Sequence, residues 1–457
     1  MSNNRPTQFD AVVVGAGPAG SSAAIWLARA GWKVALVEKQ RFPRRKVCGE
    51  CIAASNLPLL HALGIGAGLE AQAGASLRRV RLLNGSTAVS ADLPAADHPV
   101  HRWGRALGRE TLDTLLLQQA RVAGAEVLQP WSVQAISGAP GDWRCDVRAL
   151  ESGGPLVLRA PLLIDAHGSW EHLPIQTRAQ ASGQPGGPPG QQPDRHGSDL
   201  FAFKANFVNA RLDASTISVL ALDGGYGGMV LEAGGMATVA CCVRRDRLNA
   251  LRRAAPSERA GEVVQAWLQR ECAGVQKALA GANRKGLWLA SGPLDPGWGL
   301  SARDTIFRVG NAAGEAHPIL GEGISMALQS ASVLCALLLQ ESHAGLALGA
   351  LAQAQVQRRY VAAWQRQFGP RLRLAAVFAK LAMRPYSAAV LMAVVRAWPD
   401  LLTHGARWGG KVHKVMLPQP EVAASAPAAP PLLTQEWAAA AAPAPAVRQA
   451  GLAPLVL

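Results

Sequence analysis

The sequence predicts an α/β protein with three parts, and three features of the chain support this prediction. The N-terminal residues form a β-α-β unit with a glycine-rich turn after its first strand. A run of apolar strands with glycine-rich turns between residues 200 and 243 predicts an antiparallel β-sheet. Residues 350–404 have the pattern of basic, amphipathic helices. We therefore expect a nucleotide-binding domain, an antiparallel sheet domain and a C-terminal helical region.

The N-terminal unit carries the motif Gly15-x-Gly17-x-x-Gly20 between an apolar strand at residues 11–14 and a helix at 18–30. Gly15 makes the tight turn, Gly17 lets the backbone approach a pyrophosphate, and Gly20 lets the helix and strand pack closely. The free N–H groups and the positive dipole of the helix then face the phosphates. The motif predicts a Rossmann-type unit that binds a dinucleotide.

An acidic residue, Glu38, ends the second strand, 18 positions after Gly20. A carboxylate at this place accepts hydrogen bonds from ribose hydroxyls, which favours FAD or NAD over NADP. The β-α-β unit alone does not distinguish FAD from NAD. The residues that follow the second glycine, Pro18 and Ala19, are typical of FAD-bound chains.

A second motif lies far along the chain, where residues 308–323 read Arg-Val-Gly-Asn-Ala-Ala-Gly-Glu-Ala-His-Pro-Ile-Leu-Gly-Glu-Gly. It resembles the Gly-Asp-Ala-Ala segment, followed by Pro and Gly-x-Gly, of the FAD-dependent monooxygenase and geranylgeranyl reductase superfamily. The resemblance implies that Asn311 holds the ribityl chain of FAD, although the superfamily has an acidic residue there. It also implies that Pro318, Gly321 and Gly323 lie beneath the isoalloxazine ring. A helix beginning near Gly323 would direct its positive end at the flavin.

Three further elements extend this resemblance over residues 8–340. Arg109 resembles an arginine that begins a helix near the FAD phosphates and ribose, and residues 165–168 resemble an Asp-x-x-Gly segment that approaches the pyrophosphate. The segment 45–50, Arg-Lys-Val-Cys-Gly-Glu, resembles a Cys-Gly segment that lines the flavin face in the geranylgeranyl reductases. Its Gly-Glu departs from the Gly-Gly of that group.

The resulting site assignment has a cofactor set and a set of catalytic candidates, and it includes no metal ligand. The candidates for catalysis are His317, Cys48 and Glu50. The predicted cofactor-binding residues are Gly15, Gly17, Pro18, Ala19, Gly20, Glu38, Lys39, Arg45, Cys48, Gly49, Arg109, Val133, Asp165, Gly168, Gly310, Asn311, Pro318, Gly321, Gly323 and Ile324.

Several cysteines invite other interpretations. The spacing of Cys48 and Cys51 would suit an exchangeable disulfide beside a flavin. Cys241 and Cys242 are neighbours on a predicted strand and so face opposite sides, which favours core packing over a metal pair. His317 could act as an acid or base, or it could be a packing residue. The Trp-x-Trp-x-Ile-Pro motif of flavin halogenases is absent from the sequence.

The predicted parts follow one another along the 457 residues. We expect the first part of the FAD-binding domain at 1–175, a flexible loop at 176–197, the sheet domain at 198–289, the return segment of the FAD-binding domain at 290–345, a helical region at 346–415 and a disordered Ala/Pro-rich tail at 416–457. The substrate would lie between the two domains. Phe201, Phe203, Phe207, Tyr226 and Met229 would make its pocket apolar.

The composition limits the partners. The formal net charge is +15, but the basic residues are scattered and not interleaved with aromatic ones, so we expect no nucleic-acid partner. Seven cysteines and a polar stretch before Val12 predict a cytoplasmic protein without structural disulfides. The basic C-terminal helices, with Trp364, Trp398 and Trp408, would either lie on the inner face of a membrane or pack on the domain's own core.

These features lead to two functional hypotheses. The first is an FAD-dependent monooxygenase that uses NAD(P)H as a transient reductant and hydroxylates a hydrophobic aromatic or polyketide-like compound in secondary metabolism. The second is a flavin-dependent reductase of C=C bonds in isoprenoid chains. A flavin-binding structural or sensor protein is the non-enzymatic alternative.

Overall fold

The computed structural model describes residues 6–169, 173–175, 200–342, 348–411 and 417–418. The predicted loop at 176–197 lies outside the described residues, as does all but two residues of the predicted tail at 416–457. The strands are β1 (Thr7–Gln8), β2 (Ala11–Val14), β3 (Val34–Val37), β4 (Cys51–Ile52), β5 (Ser76–Leu77), β6 (Arg79–Asn84), β7 (Thr87–Asp92), β8 (Gly104–Ala106), β9 (Glu126–Leu128), β10 (Trp131–Ala139), β11 (Asp142–Ala149), β12 (Pro155–Ala160), β13 (Leu162–Asp165), β14 (Leu200–Val208), β15 (Thr216–Leu222), β16 (Gly225–Leu231), β17 (Ala237–Arg244), β18 (Asn283–Ser291), β19 (Gly297–Trp298), β20 (Phe307–Arg308) and β21 (Gly314–Glu315).

The helices complete the element order. They are α1 (Pro18–Arg29), α2 (Leu57–Ala62), α3 (Gly66–Gln72), α4 (Arg109–Val122), α5 (Arg245–Ala254), α6 (Ala260–Glu271), α7 (Ala273–Leu279), α8 (Gly323–Glu341), α9 (Ala350–Ala382), α10 (Pro385–Ala397) and α11 (Asp400–Trp408). Short 3₁₀ helices lie at Ala54–Asn56, Ala233–Gly235, Gly310–Ala312 and Pro318–Leu320.

A five-stranded parallel sheet, in the order β20-β13-β2-β3-β9, forms the centre of the first domain. Strand β2 lies between β13 and β3, and its four residues are fully paired with both. Helices α1 and α8 pack against this sheet in one buried apolar cluster. This arrangement confirms the predicted Rossmann-type β-α-β unit, and it places the glycine-rich turn after β2 beside the ends of β13 and β20.

A seven-stranded sheet, in the order β18-β14-β17-β16-β15-β6-β7, forms the second domain. Most neighbouring strands are antiparallel, as predicted, but β15 and β6 are parallel. Strands β6 and β7 come from the segment 1–175, so that segment contributes to both large sheets. Smaller sheets, in the orders β1-β12-β11-β10, β4-β8-β5 and β19-β21, lie beside them.

The two faces of the seven-stranded sheet have different partners. Helices α5, α6 and α7 cover one face, where Phe203, Phe207 and Trp267 are buried. The other face meets the end of α9 and helix α10, where Ala202, Tyr226 and Cys242 are buried. The second face also turns toward the first domain. The sheet therefore separates a covered helical layer from the region where a ligand could lie.

The prediction of which residues line the apolar pocket is wrong in part for this reason. Residues 201, 203 and 207 lie on the helical side of β14: Phe203 and Phe207 belong to the buried cluster with α5–α7, and Phe201 packs against it. Because successive side chains of a strand point to opposite faces, the residues on the ligand side are Ala202, Lys204 and Asn206. The sequence could not show which face is which, since both faces of this strand are buried.

The helices outside the parallel sheet fall into two groups. Three helices, α5, α6 and α7, lie between residues 245 and 279. The C-terminal helical region is confirmed, and it is broken into α9, α10 and α11. Among the described helices, α8 alone has the length and apolar composition of a membrane span, and it is mostly buried as a core helix. Helices α9 and α10 meet that test only as a pair, bent by 109°.

Candidate functional site

A cavity of about 640 Å³ lies between the parallel sheet and the seven-stranded sheet. One end is lined by the glycine-rich turn, the segment 44–51 and residues 166–169, and it is rich in charged and polar groups. The other end is apolar, with walls from the seven-stranded sheet and from α9–α11. The side chains that line this apolar end are Val80, Leu82, Ile217, Val219, Leu289, Phe378, Leu391, Leu401 and Leu402.

The glycine-rich turn forms a cradle at the polar end. Gly15 has φ of +100°, and a Cβ there would lie 2.6 Å from the carbonyl oxygen of Ala166. A Cβ at Gly20 would lie 1.8 Å from the carbonyl oxygen of Gly15. A Cβ at Gly17 would meet only the guanidinium groups of Arg44 and Arg109, at 3.8 and 3.9 Å. The fold therefore requires glycine at the first and third positions, whereas the second position opens onto the cavity.

Glu38 connects this turn to the segment that follows β3. Its Oε2 accepts a hydrogen bond of 2.9 Å from the backbone N–H of Ala16, and its Oε1 accepts one of 2.8 Å from Gln40. The carboxylate is buried on the cavity wall. A carboxylate oxygen accepts more than one hydrogen bond, so Glu38 can also receive a ribose hydroxyl.

Three cations surround the cradle. Arg109 is buried and forms a bidentate ion pair with Asp113, with N–O distances of 2.7 and 2.8 Å. Arg44 reaches Glu38 at 3.4 Å, and its Nε is buried without a hydrogen-bond partner among the described residues. Lys46 lines the cavity and makes no ion pair within the part of the chain that the structure describes. The three cations lie together on the cavity wall, where they can bind the phosphates of a ligand.

Lys46 gives this cluster a pH dependence. Burial, together with the nearby charges of Arg109 and Arg44, lowers the pKa of Lys46 from 10.5 to about 8. A bound pyrophosphate stabilises the charged ammonium, so FAD affinity should fall as the pH rises above 8 and the free protein loses this proton. In Lys46→Met we expect weaker binding at pH 7, by about tenfold, and a flat pH profile between 7 and 9.

Fluorescence titration of the flavin-free protein with FAD at several pH values measures this effect. Lys277→Met, which changes an exposed lysine outside the cavity, is the matched control and should keep the wild-type profile. An unchanged slope in Lys46→Met would show that this lysine does not face the phosphates.

The segment around Gly310 lies beside the cradle, since a Cβ at Gly310 would lie 2.9 Å from the Cβ of Ala19. Gly310 has φ of +62°, and its N–H donates to Ser330 Oγ at 2.9 Å. Asn311 lines the cavity, and its Nδ2 donates to Ser169 Oγ at 2.9 Å. Glu315, which sequence reasoning missed, also lines the cavity, and burial raises the pKa of its carboxyl group. Asn311 thus stands between a hydroxyl and a carboxyl group, a setting that suits hydrogen bonding to a polyol chain.

The turn at residues 318–323 is held by a lysine from the C-terminal part of the chain. Gly321 has φ of +63°, and Gly323 begins α8 on the cavity wall. Lys411 Nζ donates to the carbonyl oxygen of Gly321 at 3.3 Å and forms an ion pair of 2.9 Å with Glu322. Lys411 itself lines the cavity. No signal in the sequence links this lysine to a motif 90 residues earlier.

Asp165 does not reach the cavity. Its Oδ1 accepts hydrogen bonds from the backbone N–H and the Nδ1 of His167, and the cavity wall is formed instead by Ala166, His167 and Gly168. The predicted contact of Asp165 with the cofactor is therefore corrected to a role in orienting His167. The Nε2 atom of His167 is buried and has no partner among the described residues, so this nitrogen is available to a ligand.

His317 does not line the cavity either. Its ring packs edge-on against Tyr226, with Nδ1 3.4 Å from the tyrosine hydroxyl. Burial, together with the charge of Lys380, lowers the pKa of His317 to about 4. The imidazole is therefore neutral at pH 7, and the structure favours the packing interpretation over an acid or base at the reacting centre.

Cys48 and Cys51 both line the cavity as free thiols. The Sγ of Cys48 accepts a hydrogen bond of 3.4 Å from the N–H of Glu50. Burial raises the pKa of both thiols, that of Cys51 to about 12. Exchange between thiols and disulfides requires a thiolate, so this environment does not favour the dithiol hypothesis.

Glu50 is held by three elements at once. The residue has φ of +57°, and its side chain is buried. Its Oε1 accepts hydrogen bonds from the Lys204 ammonium and from the Arg109 N–H at 2.8 Å, and its Oε2 accepts one from Thr238 at 2.6 Å. Burial alone would raise the pKa of Glu50, but Lys204 and the hydrogen bonds outweigh it and hold the carboxyl group ionised. Glu50 thus fixes the segment 48–50 to the sheet and to the start of α4.

A second carboxyl group shares this network. The Thr238 hydroxyl accepts a hydrogen bond of 2.7 Å from Asn206 and lies 2.6 Å from Glu50 and 2.5 Å from Glu232. A hydroxyl has one proton and cannot donate to both carboxylates. Burial and the neighbouring charge of Glu50 raise the pKa of Glu232 to about 8, so Glu232 is the protonated partner at pH 7. The pair holds one negative charge opposite Lys204.

This assignment predicts how stability depends on pH. Glu232 keeps its proton in the folded protein up to about pH 8 but loses it near 4.5 when unfolded, so the free energy of unfolding should fall between pH 5 and pH 8. We expect a loss of roughly 3 kcal/mol over this range in the wild type. Glu232→Gln, which mimics the neutral acid, should remove this loss, as measured by urea unfolding at each pH.

Glu258→Gln changes an exposed carboxylate and serves as the matched control. It should retain the wild-type decline in stability. A wild-type slope in Glu232→Gln would contradict the assignment of the proton to Glu232.

Most of the predicted site residues come together at the polar end and middle of one cavity. Those on its wall are Gly15, Gly17, Pro18, Ala19, Glu38, Lys39, Arg45, Cys48, Gly49, Glu50, Arg109, Val133, Gly168, Gly310, Asn311, Pro318, Gly321, Gly323 and Ile324. Gly20, Asp165 and His317 lie behind it. The wall residues that sequence reasoning missed include Arg44, Lys46, His167, Glu315 and Lys411.

The residues at the polar end fit FAD. The open approach at Gly17, the start of α1 and the cations at positions 44, 46 and 109 suit a pyrophosphate. Glu38 suits the adenosine ribose, and Asn311 suits a ribityl chain. The unpartnered Nε of Arg44 is a further donor for an anionic ligand.

The family comparison agrees with this fit, since residues 8–185 match the FAD binding domain model. Menaquinone reductase of Mycobacterium tuberculosis is 39% identical over 119 residues, which are 26% of this chain and 28% of that protein. The match thus spans less than a third of the length of that relative.

Solved structures match over most of the chain. The myxobacterial chondrochloren halogenase has a TM-score of 0.67 at 19% identity and covers 88% of this chain and 91% of its own. The geranylgeranyl bacteriochlorophyll reductase-like protein of Thermoplasma acidophilum has a TM-score of 0.61 at 17% identity and covers 88% of this chain and 100% of its own. Residues 8–185 thus match an FAD-binding domain, and the chain shares its fold with these two solved structures.

Proposed function

We propose that the protein is an FAD-dependent oxidoreductase that takes electrons from NAD(P)H and hydroxylates a hydrophobic aromatic or polyketide-like molecule. The observation that carries this proposal is the cavity itself, which runs from the FAD cradle to an apolar end large enough for a small molecule. FAD, when bound, supplies the two-electron redox chemistry. The chain's own residues bind, orient and desolvate the reactants.

The roles of these residues follow from their positions. Arg44, Lys46 and Arg109 bind phosphates, and Glu38 orients a ribose. Glu50, held by Lys204, is a positioning residue for the segment 48–50. The aliphatic side chains at the far end exclude water from the reacting centre.

A C=C reductase of isoprenoid chains is the second candidate. The observation that favours it is the Cys48-Gly49 segment, which lies on the cavity wall as the resemblance to geranylgeranyl reductases implies. Relatives with reductase names, menaquinone reductase among them, add support. We do not propose halogenation, because the Trp-x-Trp-x-Ile-Pro motif is absent from the sequence.

Product analysis distinguishes the two reactions. Purified protein with FAD is incubated with NADH or NADPH and with lipophilic phenols or prenyl chains, in air and under argon. Oxygen uptake coupled to a hydroxylated product supports the monooxygenase. A saturated prenyl product formed under argon would replace it with the reductase.

A cavity variant locates the substrate. Val219→Phe narrows the apolar end without touching the FAD cradle, so the flavin content should remain that of the wild type. The KM for the substrate should rise several-fold if the substrate occupies that end. An unchanged KM would place the substrate elsewhere.

A further inference from the structure

The C-terminal helices expose an apolar surface that no other described part of the chain covers. Helix α10 has two apolar stripes: Ala388, Met392 and Val395 are buried against the seven-stranded sheet, whereas the opposite stripe faces outward. In that outer stripe Tyr386 is 90% exposed, Val390 64% and Val394 36%. These residues are four apart, so they lie on one face of the helix.

The neighbouring helices extend this surface. Val377 and Leu381, at the end of α9, are exposed and also four residues apart. Trp398, between α10 and α11, is 66% exposed, and Trp408, at the end of α11, is 64% exposed. A helix that is apolar on both sides is normally buried on both sides. The outward stripe therefore requires a partner.

The charge on the same helices identifies the chemistry of that partner. Between residues 373 and 408 there are five basic residues and one acidic residue, Asp400. The basic residues are Arg373, Lys380, Arg384, Arg396 and Arg407, and all of them are exposed. Exposed tryptophans and aliphatic side chains beside cations are the combination that binds the interface of an anionic bilayer.

We propose that the outer faces of the end of α9, of α10 and of α11 form a docking surface for an anionic lipid bilayer. The bend of 109° between α9 and α10 suits helices that lie on a bilayer and do not cross it. The observations that define this surface do not involve the reaction, so the proposal does not depend on the proposed function.

The same helices connect this surface to the cavity. Phe378, Leu391 and Leu401 line the apolar end of the cavity from within. A lipophilic molecule in the bilayer would thus lie one helix layer from the reacting centre. This consequence alone rests on the proposed function.

Cosedimentation with vesicles tests the proposal on the full chain with FAD bound. The vesicles contain phosphatidylcholine alone or phosphatidylcholine with about 30 mol% phosphatidylglycerol, which makes the second kind anionic. We expect the wild type to bind the anionic vesicles. Its affinity should fall at least about tenfold in the triple variant Tyr386→Ser/Val390→Ser/Trp398→Ser, and it should also fall in Arg384→Glu/Arg396→Glu. These positions are exposed, so flavin content and unfolding temperature should not change.

A matched control removes exposed apolar side chains elsewhere. Val100→Ser/Leu150→Ser/Leu287→Ser changes three exposed residues outside this surface and should bind vesicles as the wild type does. Equal binding by the Tyr386/Val390/Trp398 variant, or no binding by the wild type, would overturn the proposal. A wild-type dimer that the triple variant abolishes, without vesicle binding, would assign the surface to a second copy of the chain instead.

Discussion

Gly17→Ala should bind FAD more weakly while keeping its fold. The methyl group at this position would meet only the ends of Arg44 and Arg109, at 3.8 and 3.9 Å, so the flavin-free protein accommodates it. The same methyl group would occupy the space through which a pyrophosphate approaches the backbone. We expect FAD affinity to fall at least about tenfold, or about 1.4 kcal/mol, with little change in the unfolding temperature of the flavin-free protein.

Substitutions at two other glycines provide comparisons for this result. Gly20→Ala places a Cβ 1.8 Å from a backbone oxygen, so that variant should lose stability as well as FAD. Gly369→Ala, in α9 with no atom near the added Cβ, should keep both. FAD binding by Gly17→Ala at wild-type strength would mean that the cofactor does not contact this turn.

Lys204→Met should cause a large loss of stability. The ammonium of Lys204 is buried and neutralises the charge that Glu50 and Glu232 share. Methionine fills the volume but leaves a buried carboxylate without its counter-charge. We expect a loss of about 3–5 kcal/mol in the free energy of unfolding, as measured by urea denaturation at pH 7.

A second substitution separates charge from packing. Glu50→Gln in the Lys204→Met background removes the unpaired charge, so the double variant should be more stable than Lys204→Met alone. Lys285→Met, on the adjacent strand β18 and exposed, is the control and should stay near the wild type. Equal losses in the single and double variants would show that Lys204 acts through packing and not through charge.

Local patterns in the sequence predicted much of the first domain. Strands β2 and β3 and the start of α1 lie where the apolar runs, Gly15 and Pro18 place them. The segment at residues 308–323 was predicted from its motif, because Gly310 and Gly321 have the positive φ values that its local turns require. These features depend on residues that are close together in the sequence, so a sequence pattern is enough to predict them.

Contacts between distant residues were not predicted. Glu50 and Lys204 are 154 positions apart, and neither residue is unusual in its local sequence. Lys411 reaches the turn at residues 318–323 only because α9–α11 fold back across the cavity. The faces of β14 were assigned wrongly because an apolar strand buried on both sides does not show which face meets the ligand.

The central claim is that the polar end of the cavity holds the adenosine and pyrophosphate of FAD. Titration of the flavin-free protein with FAD and with FMN tests this claim most directly, because FMN lacks the half of the molecule assigned to Gly17, Glu38 and Arg44. We expect one FAD per chain and binding at least about 100-fold tighter than that of FMN, a difference of about 2.8 kcal/mol. Equal affinity for FAD and FMN would contradict the claim.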